Sequence, residues 1–313
     1  MKKFIIFLLA ALCLSLVVMI SFAGGLVDLP SFIRTANPLL FVSLWALGFA
    51  LTAFIFGMIT KDYSWVDRIW SILPVGFAWY YAYRGGFTLI LCLVAVLITL
   101  WGARLTFNFA RKGGYAGHED YRWSILRGQI KNPLLWQLFS LFFISFFQVG
   151  LFILFTWPVA NMAMNPVAGP SALFWFFIAL GVAFICFETT ADQQQWNFHA
   201  AKNAAKNSTV AQPASQPKYS ADIKNGFLAQ GLFAVSRHPN YFGELGFWWM
   251  IWLSALSLTQ NIISTGIFGP IILTVMFIGS TVFTESITSG KYPAYQEYKR
   301  RVSPIIPWFR HRP

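Results

Sequence analysis

Charge is scarce in this chain. Only 11% of its 313 residues are Asp, Glu, Lys or Arg, and just 11 are acidic. A water-soluble domain carries charge on about a quarter of its residues, so an ordinary soluble globule is excluded. Cysteine is scarce too. Cys13, Cys92 and Cys186 all lie in apolar runs without pairing or metal-ligand spacing, which excludes a disulfide framework. The four histidines, His118, His199, His238 and His311, are too scattered for a metal centre, and no metal is expected. No G-x-G-x-x-G follows a strand pattern and no P-loop is present, so neither common phosphate cradle is available.

What the chain has instead is hydrocarbon. Hydrophobic residues make up 57% of it, with 33 Phe and 14 Trp. Eight apolar segments approach bilayer length, at roughly 4–23, 38–59, 69–83, 87–109, 134–157, 171–188, 241–259 and 265–283, the third being short. Hydrocarbon offers a peptide backbone no partner outside a helix or a closed barrel. The fold class is therefore all-α: a polytopic transmembrane bundle of about 7–8 helices, forming one integral membrane domain over 1–313. Residues 1–24 combine a basic start with a small-x-small end at Ser21-Phe22-Ala23, as a signal peptide does. The apolar run is longer than a usual signal core, which favours a retained first membrane helix.

Orientation follows from the basic residues. With the N-terminus placed inside, 20 of the 23 Lys and Arg fall in cytosolic segments and 2 outside, Arg34 and Arg84. Both termini and the 110–133 and 189–240 loops are then cytosolic. The net charge of +12 follows from this topology and from attraction to anionic lipid, with no nucleic-acid partner required. Residues 200–220, rich in Ala, Asn, Ser, Gln and Pro, read as a flexible exposed insert.

The chemistry concentrates in Gly231–Glu244, GLFAVSRHPNYFGE, directly before an apolar run. Ser236, Arg237, His238, Asn240, Tyr241 and Glu244 crowd into nine residues. Pro239 suits a first helical position, and the free N–H groups of a helix starting there attract an anion. Asn240 and Glu244 share a face, with Glu244 one turn deeper into the apolar phase, where an ionisable group is a functional candidate.

Four further blocks accompany it. In TKDYSWVDRIWSILP, Asp67 reads either as a solvated charge at a helix start or as a site acid. WGARLTFNFARK sets Arg104 and Asn108 on one helical face, Arg104 either snorkelling or facing a ligand. GYAGHEDYRWSILRGQ packs Glu119, Asp120, Tyr121 and Arg122 together, as a solvated connection or a loop covering a site. CFETTADQQQWNFHA spaces Asp192, Gln195, Trp196 and His199 along one helical face. In the tail, Lys291, Tyr295 and Tyr298 line a helix that Pro304 must stop, with Arg301 following: a membrane-surface helix or part of a site.

SRHPNYFGE resembles the signature of the steroid 5α-reductase C-terminal-domain superfamily, most closely its bacterial branch of unknown function (DUF1295). S-W-V-D-x-x-W, W-G-x-R-L, E-D-Y-R-W, Asp-x-x-Gln, Y-x-x-Y-x-x-R and I-I-P-W are similar to the same branch. The resemblance runs from about residue 60 to the end, apart from the 200–220 insert. It implies NADPH-dependent reduction of a conjugated C=C bond in a lipid or steroid-like enone. Asp67 and Glu244 would be catalytic. The residues implied to hold the cofactor are Arg104, Asn108, Glu119, Asp120, Tyr121, Arg122, Asp192, Gln195, Ser236, Arg237, His238, Asn240, Tyr241, Tyr295, Tyr298 and Arg301. The Glu and Tyr that polarise the carbonyl in those reductases lack counterparts at matching positions. Asp67 is the nearest acid, and Trp101 stands roughly where the Tyr belongs.

A shorter RHPNY-type signature also occurs in isoprenylcysteine and phospholipid methyltransferases, so an S-adenosylmethionine-dependent lipid methyltransferase is the alternative. A transporter or structural membrane protein is a third reading, but it places ionisable groups at broken helices near the midplane. Here they gather at one interface. The implied partners are a lipophilic substrate from the bilayer and membrane lipid, with no obligate protein partner. The implied location is a bacterial-type cytoplasmic membrane with the active face towards the cytosol.

Overall fold

The computed structural model describes residues 1–165, 169–207 and 217–308. All regular structure among them is helical, apart from one isolated bridge between Ser236 and Ser303. In order the helices are α1 (Lys2–Ala23), α2 (Leu29–Thr35), α3 (Pro38–Thr60), α4 (Trp65–Ile69), α5 (Leu73–Arg84), α6 (Leu89–Arg111) and α7 (Tyr121–Gln129). There follow α8 (Pro133–Phe139), a π-helical stretch (Ser140–Phe147) continuing into α9 (Gln148–Met164), then α10 (Ala172–Asn207) and α11 (Ser220–Asn225). Last come α12 (Pro239–Thr259), α13 (Phe268–Lys291) and α14 (Tyr295–Arg301).

Among the described residues, six helices are long and apolar enough to cross a membrane: α1, α3, α6, the continuous 133–164 helix, α10 and α13. The chain is an all-α membrane bundle. Two of the eight expected spans differ. The third is α5, only 12 residues long, because Pro74 opens it and Gly85-Gly86 closes it. At 1.5 Å per residue it covers about 18 Å of a core about 30 Å thick. The seventh, α12, has the length but carries Asn240 and Glu244 in its opening turns.

The described residues form two compact units. Unit 1 comprises Met1–Ile178 and Ile251–Ile272, and unit 2 comprises Ala179–Met250 and Leu273–Pro313. In unit 1, Asn37 caps α3 by accepting from the amides of Leu39 and Leu40, and Pro38 fills the first helical position. α1 approaches α3 closely because Gly48 has no side chain: a Cβ there would lie 2.5 Å from the Ser15 amide nitrogen. Ser15 Oγ then bonds the Trp45 carbonyl at 2.9 Å. In the 133–164 helix, Phe139, Phe143 and Phe147 stack in succession at 5.0 and 5.3 Å.

In unit 2, α10 continues far beyond the expected membrane boundary, to Asn207. Its last turns and the helical turns at 217–225 replace both ends of the expected flexible insert, whose middle, 208–216, lies outside the described residues. Tyr219, expected on an exposed linker, is buried against Phe198, Ala201, Leu228 and Phe233. Its ring area explains the burial, since a large aromatic surface is costly to leave in water.

Candidate functional site

Unit 1 joins two sequence blocks that lie 56 residues apart into one polar lock. Tyr63 donates its amide N–H to Glu119 Oε1 at 2.9 Å, and the Asp120 amide donates to Ser64 Oγ at 2.8 Å. Trp123 Nε1 donates to Asp67 Oδ2 at 2.7 Å. Arg68 is 2% exposed, pairs with Asp62 at 2.7 Å and donates to the carbonyls of Gly114 and His118. Arg127 bonds Glu119 at 2.9 Å and the Lys61 carbonyl at 3.0 Å. Asp120 caps α7 and holds Arg122 through both oxygens.

Most of the expected ligand groups in this block therefore bond to one another. Glu119 and Asp120 tie the 113–129 segment to Tyr63 and Ser64 just before α4, Arg122 holds Asp120, and Tyr121 is exposed. Burial, reinforced by the nearby Asp120 charge, raises the Asp67 carboxyl above its ordinary pKa, with Arg122 and the Trp123 bond opposing the shift. On α6, Asn108 is buried and its Oδ1 accepts from Arg111 at 3.0 and 2.8 Å. Arg104 lies half-buried one turn earlier on the same face.

Unit 2 holds the GLFAVSRHPNYFGE stretch. Arg237 makes a two-pronged ion pair with Glu285 of α13, Nε to Oε1 at 2.6 Å and Nη2 to Oε2 at 3.0 Å. Its Nη1 donates to the carbonyls of Lys299 and Val302. All three guanidinium nitrogens of Arg237, one of the residues implied to hold the cofactor, are thus engaged within the protein. His238 Nε2 lies 3.2 Å from the same Glu285, and Lys299 pairs with it at 3.3 Å. Tyr241 stacks on His238 at 5.0 Å and meets Phe277 edge-on at 4.8 Å.

The C-terminal segment seals this arrangement. Ser303 and Pro304 accept from the amides of Arg237 and His238 at 2.8 and 3.0 Å, and Ser236 Oγ donates to the Ile305 carbonyl at 2.6 Å. Tyr295 and Tyr298, expected to touch cofactor, are instead buried with Phe227 and Val302. Tyr298 Oη donates to the Phe233 carbonyl at 2.5 Å. Burial pushes both phenols well above the ordinary tyrosine range. Arg301 is exposed and bonds Glu297 one turn back at 2.7 Å.

The remaining chemistry lies where α10 meets α12. A Cβ on Gly243 would lie 2.6 Å from Glu188 Cβ, so only glycine permits this approach. Phe242 meets Phe184 and Phe187 at 5.4 and 5.6 Å. Positions 184 and 188 thus face α12, and their stripe continues through Asp192 and Gln195. Glu188, Asp192 and Glu244 are all buried, and Glu244 Oε1 accepts from Trp248 Nε1 at 3.1 Å. Gln195 is half-buried and bonds the exposed His199 at 3.0 Å; Asn240 is half-buried at the start of α12. An open groove of about 540 Å³ between Asn197–Ala204 and Lys218–Tyr219 contains none of the expected site residues.

Sequence reasoning missed three participants. Glu285 is an acid inside a membrane-length helix, a signal that was available. Glu188 carries the same signal, an acid in an apolar helix, and it is buried. Gln194, whose Oε1 accepts the Leu232 amide at 2.9 Å, neighbours the residue that was chosen.

No solved structure matches the chain. An uncharacterized protein of Schizosaccharomyces pombe is 37% identical over 298 residues, covering 90% of this chain and 83% of that protein. That yeast relative means the expected restriction to a bacterial branch is not borne out. The family model described as a protein of unknown function (DUF1295) matches residues 53–302, taking in both polar clusters, and the chain belongs to that family.

Proposed function

We propose that the protein is a membrane-embedded, NADPH-dependent reductase of a conjugated C=C bond in a lipophilic substrate, with its polar face in the cytosol. The observation that carries this reading is the burial of Glu188, Asp192 and Glu244, each 3–4% exposed, on two helices in contact at Gly243. Carboxylates in apolar helices are costly unless function retains them.

The donor set fits one half of the cofactor better than the other. Carboxylates and amides at Asp192, Gln195, Asn240 and Glu244 supply acceptors for a carboxamide N–H and ribose hydroxyls. The phosphate end is less well supplied, because Arg237 is closed by Glu285. When bound, the nicotinamide supplies hydride to the β-carbon of the enone. The chain's own part would be to orient the ring through Glu244 and Asn240 and to pack the apolar faces of α10 and α12 around the apolar body of the substrate. A proton from solvent completes the reduction at the α-carbon.

The experiment is a titration of the purified, lipid-reconstituted protein with NADPH and with S-adenosylmethionine, read by tryptophan-to-nicotinamide energy transfer and by calorimetry. Saturable NADPH binding is expected. Saturable S-adenosylmethionine binding without NADPH binding overturns the reductase in favour of a lipid methyltransferase.

A further inference from the structure

The segment after α14 alternates in burial. Val302 and Ile305 point inwards at 7% and 9% exposure, whereas Ile306 and Trp308 stand 65% and 67% exposed. Its backbone is not free to turn these side chains away from water. Besides the bonds to Ser236, Arg237 and His238, the Trp308 amide donates to the Val235 carbonyl at 3.1 Å. The segment is a strap laid across the entry to α12, holding two large apolar side chains in the open.

Its level relative to the bilayer follows from Glu285. That residue lies six positions before the end of α13, a membrane-length helix, and it grips Arg237 within the strapped stretch. The strap therefore sits beside the last turns of a membrane span, at the boundary between hydrocarbon and water. Immediately before it, Arg300 and Arg301 are largely exposed and share one carboxylate, Glu297, between them. The sequence beyond it continues with Phe309, Arg310 and Arg312. Exposed tryptophan and isoleucine beside arginines are the composition of an interfacial anchor. Cations at this depth attract anionic lipid headgroups.

We infer that the 302–308 strap is a membrane-interface anchor, inserting Ile306 and Trp308 among headgroups while Arg300 and Arg301 bind anionic lipid. The partner is the bilayer itself. By pinning Ser236–His238 to that anchor, the strap fixes the RHPN stretch at a set depth. This inference does not depend on which reaction the protein performs.

The test uses full-length protein with its three cysteines replaced by alanine, and a single cysteine placed by Trp308→Cys or, independently, Ile306→Cys. Each carries a nitrobenzoxadiazole dye, and Lys224→Cys, at an exposed position of unit 2, serves as the aqueous control. In phosphatidylcholine nanodiscs, the dyes at 306 and 308 should emit to the blue of the control and be quenched by a headgroup-level nitroxide lipid. Adding phosphatidylglycerol should deepen the quenching, and Arg300→Gln with Arg301→Gln should abolish that increment. Control-like emission at both positions overturns the inference. So does a blue shift that grows with protein concentration and ignores the nitroxide lipid, which would mark a contact between copies of the chain.

Discussion

Arg237 and Glu285 are 48 residues apart in sequence and meet through two hydrogen-bonded contacts, at 2.6 and 3.0 Å, with side chains 8% and 4% exposed. Planar bidentate geometry is the strong form of this interaction, and burial shields it from salt. Around it gather His238, Lys299 and the carbonyls of Lys299 and Val302, so one carboxylate organises the motif and the C-terminal segment together.

Removing Glu285 takes the carboxylate from the buried Arg237 guanidinium, and removing Arg237 leaves Glu285 with only His238 and Lys299 beside it. Arg237→Ala or Glu285→Ala should destabilise unit 2 by about 3–5 kcal/mol, the usual result of leaving a buried charge alone. The double variant should lose less than the sum of the two. Thermal unfolding in detergent measures all three, and additive losses would show that the pair is not coupled.

Asp67 gives a pH signature in unit 1. Its carboxyl is raised above the ordinary value by burial, so the ionised form is the disfavoured one in the folded protein. The stability this group contributes is then complete below the unfolded carboxylate value and is lost as pH rises through the higher folded value. Asp67→Asn retains an acceptor for the Trp123 indole and should flatten that decline. Melting temperature recorded against pH for both proteins makes the comparison, and parallel curves would refute it.

The sequence made the spans and the chemically rich stretches legible, because apolar length and polar crowding are local properties. Partnerships were harder to read. Glu119, Asp120 and Arg122 looked like ligands, yet their charges are spent on Tyr63, Arg127 and each other, which only the fold brings within reach. Gln195 follows from helical spacing and from the Asp-x-x-Gln resemblance, and neither points to Gln194, because one step around a helix turns a side chain by about 100°. Tyr219 was hidden in a low-complexity stretch whose composition says nothing of the pocket formed by Phe198 and Phe233.

Topology offers an independent check. A reporter fused after residue 165 should be external, and one fused after residue 215 cytosolic, as the 20-to-2 distribution of basic residues requires. Reversed signals would move both polar clusters to the other side of the membrane.

Gly243 should be intolerant of any side chain. Its absent Cβ makes room for Glu188, and Gly243→Ala would force α10 and α12 apart at a cost of about 1–3 kcal/mol, typical of overpacking. If the α10–α12 contact shapes the ligand site, the variant should also lose nucleotide affinity beyond its loss of folded protein. Full affinity in the fraction that remains folded would separate that contact from binding.

Glu244 separates the structural account from the chemical one most sharply. It is 3% exposed, accepts from Trp248 one turn further on, and lies next to the glycine that admits Glu188. Glu244→Gln keeps the shape and an acceptor oxygen for the indole, so the Trp248 bond survives while the charge is lost. A residue retained for packing would tolerate that exchange, and removing an expensive charge from an apolar helix could even stabilise the fold. A residue that holds the polar end of a ligand depends on the carboxylate, and losing one charge-assisted hydrogen bond should weaken binding by roughly tenfold or more, on the order of 1.5–3 kcal/mol. The expected outcome is an unchanged or raised melting temperature together with reduced NADPH affinity, measured on the same purified sample. A fall in melting temperature with affinity per folded molecule intact would assign Glu244 to the architecture of α12.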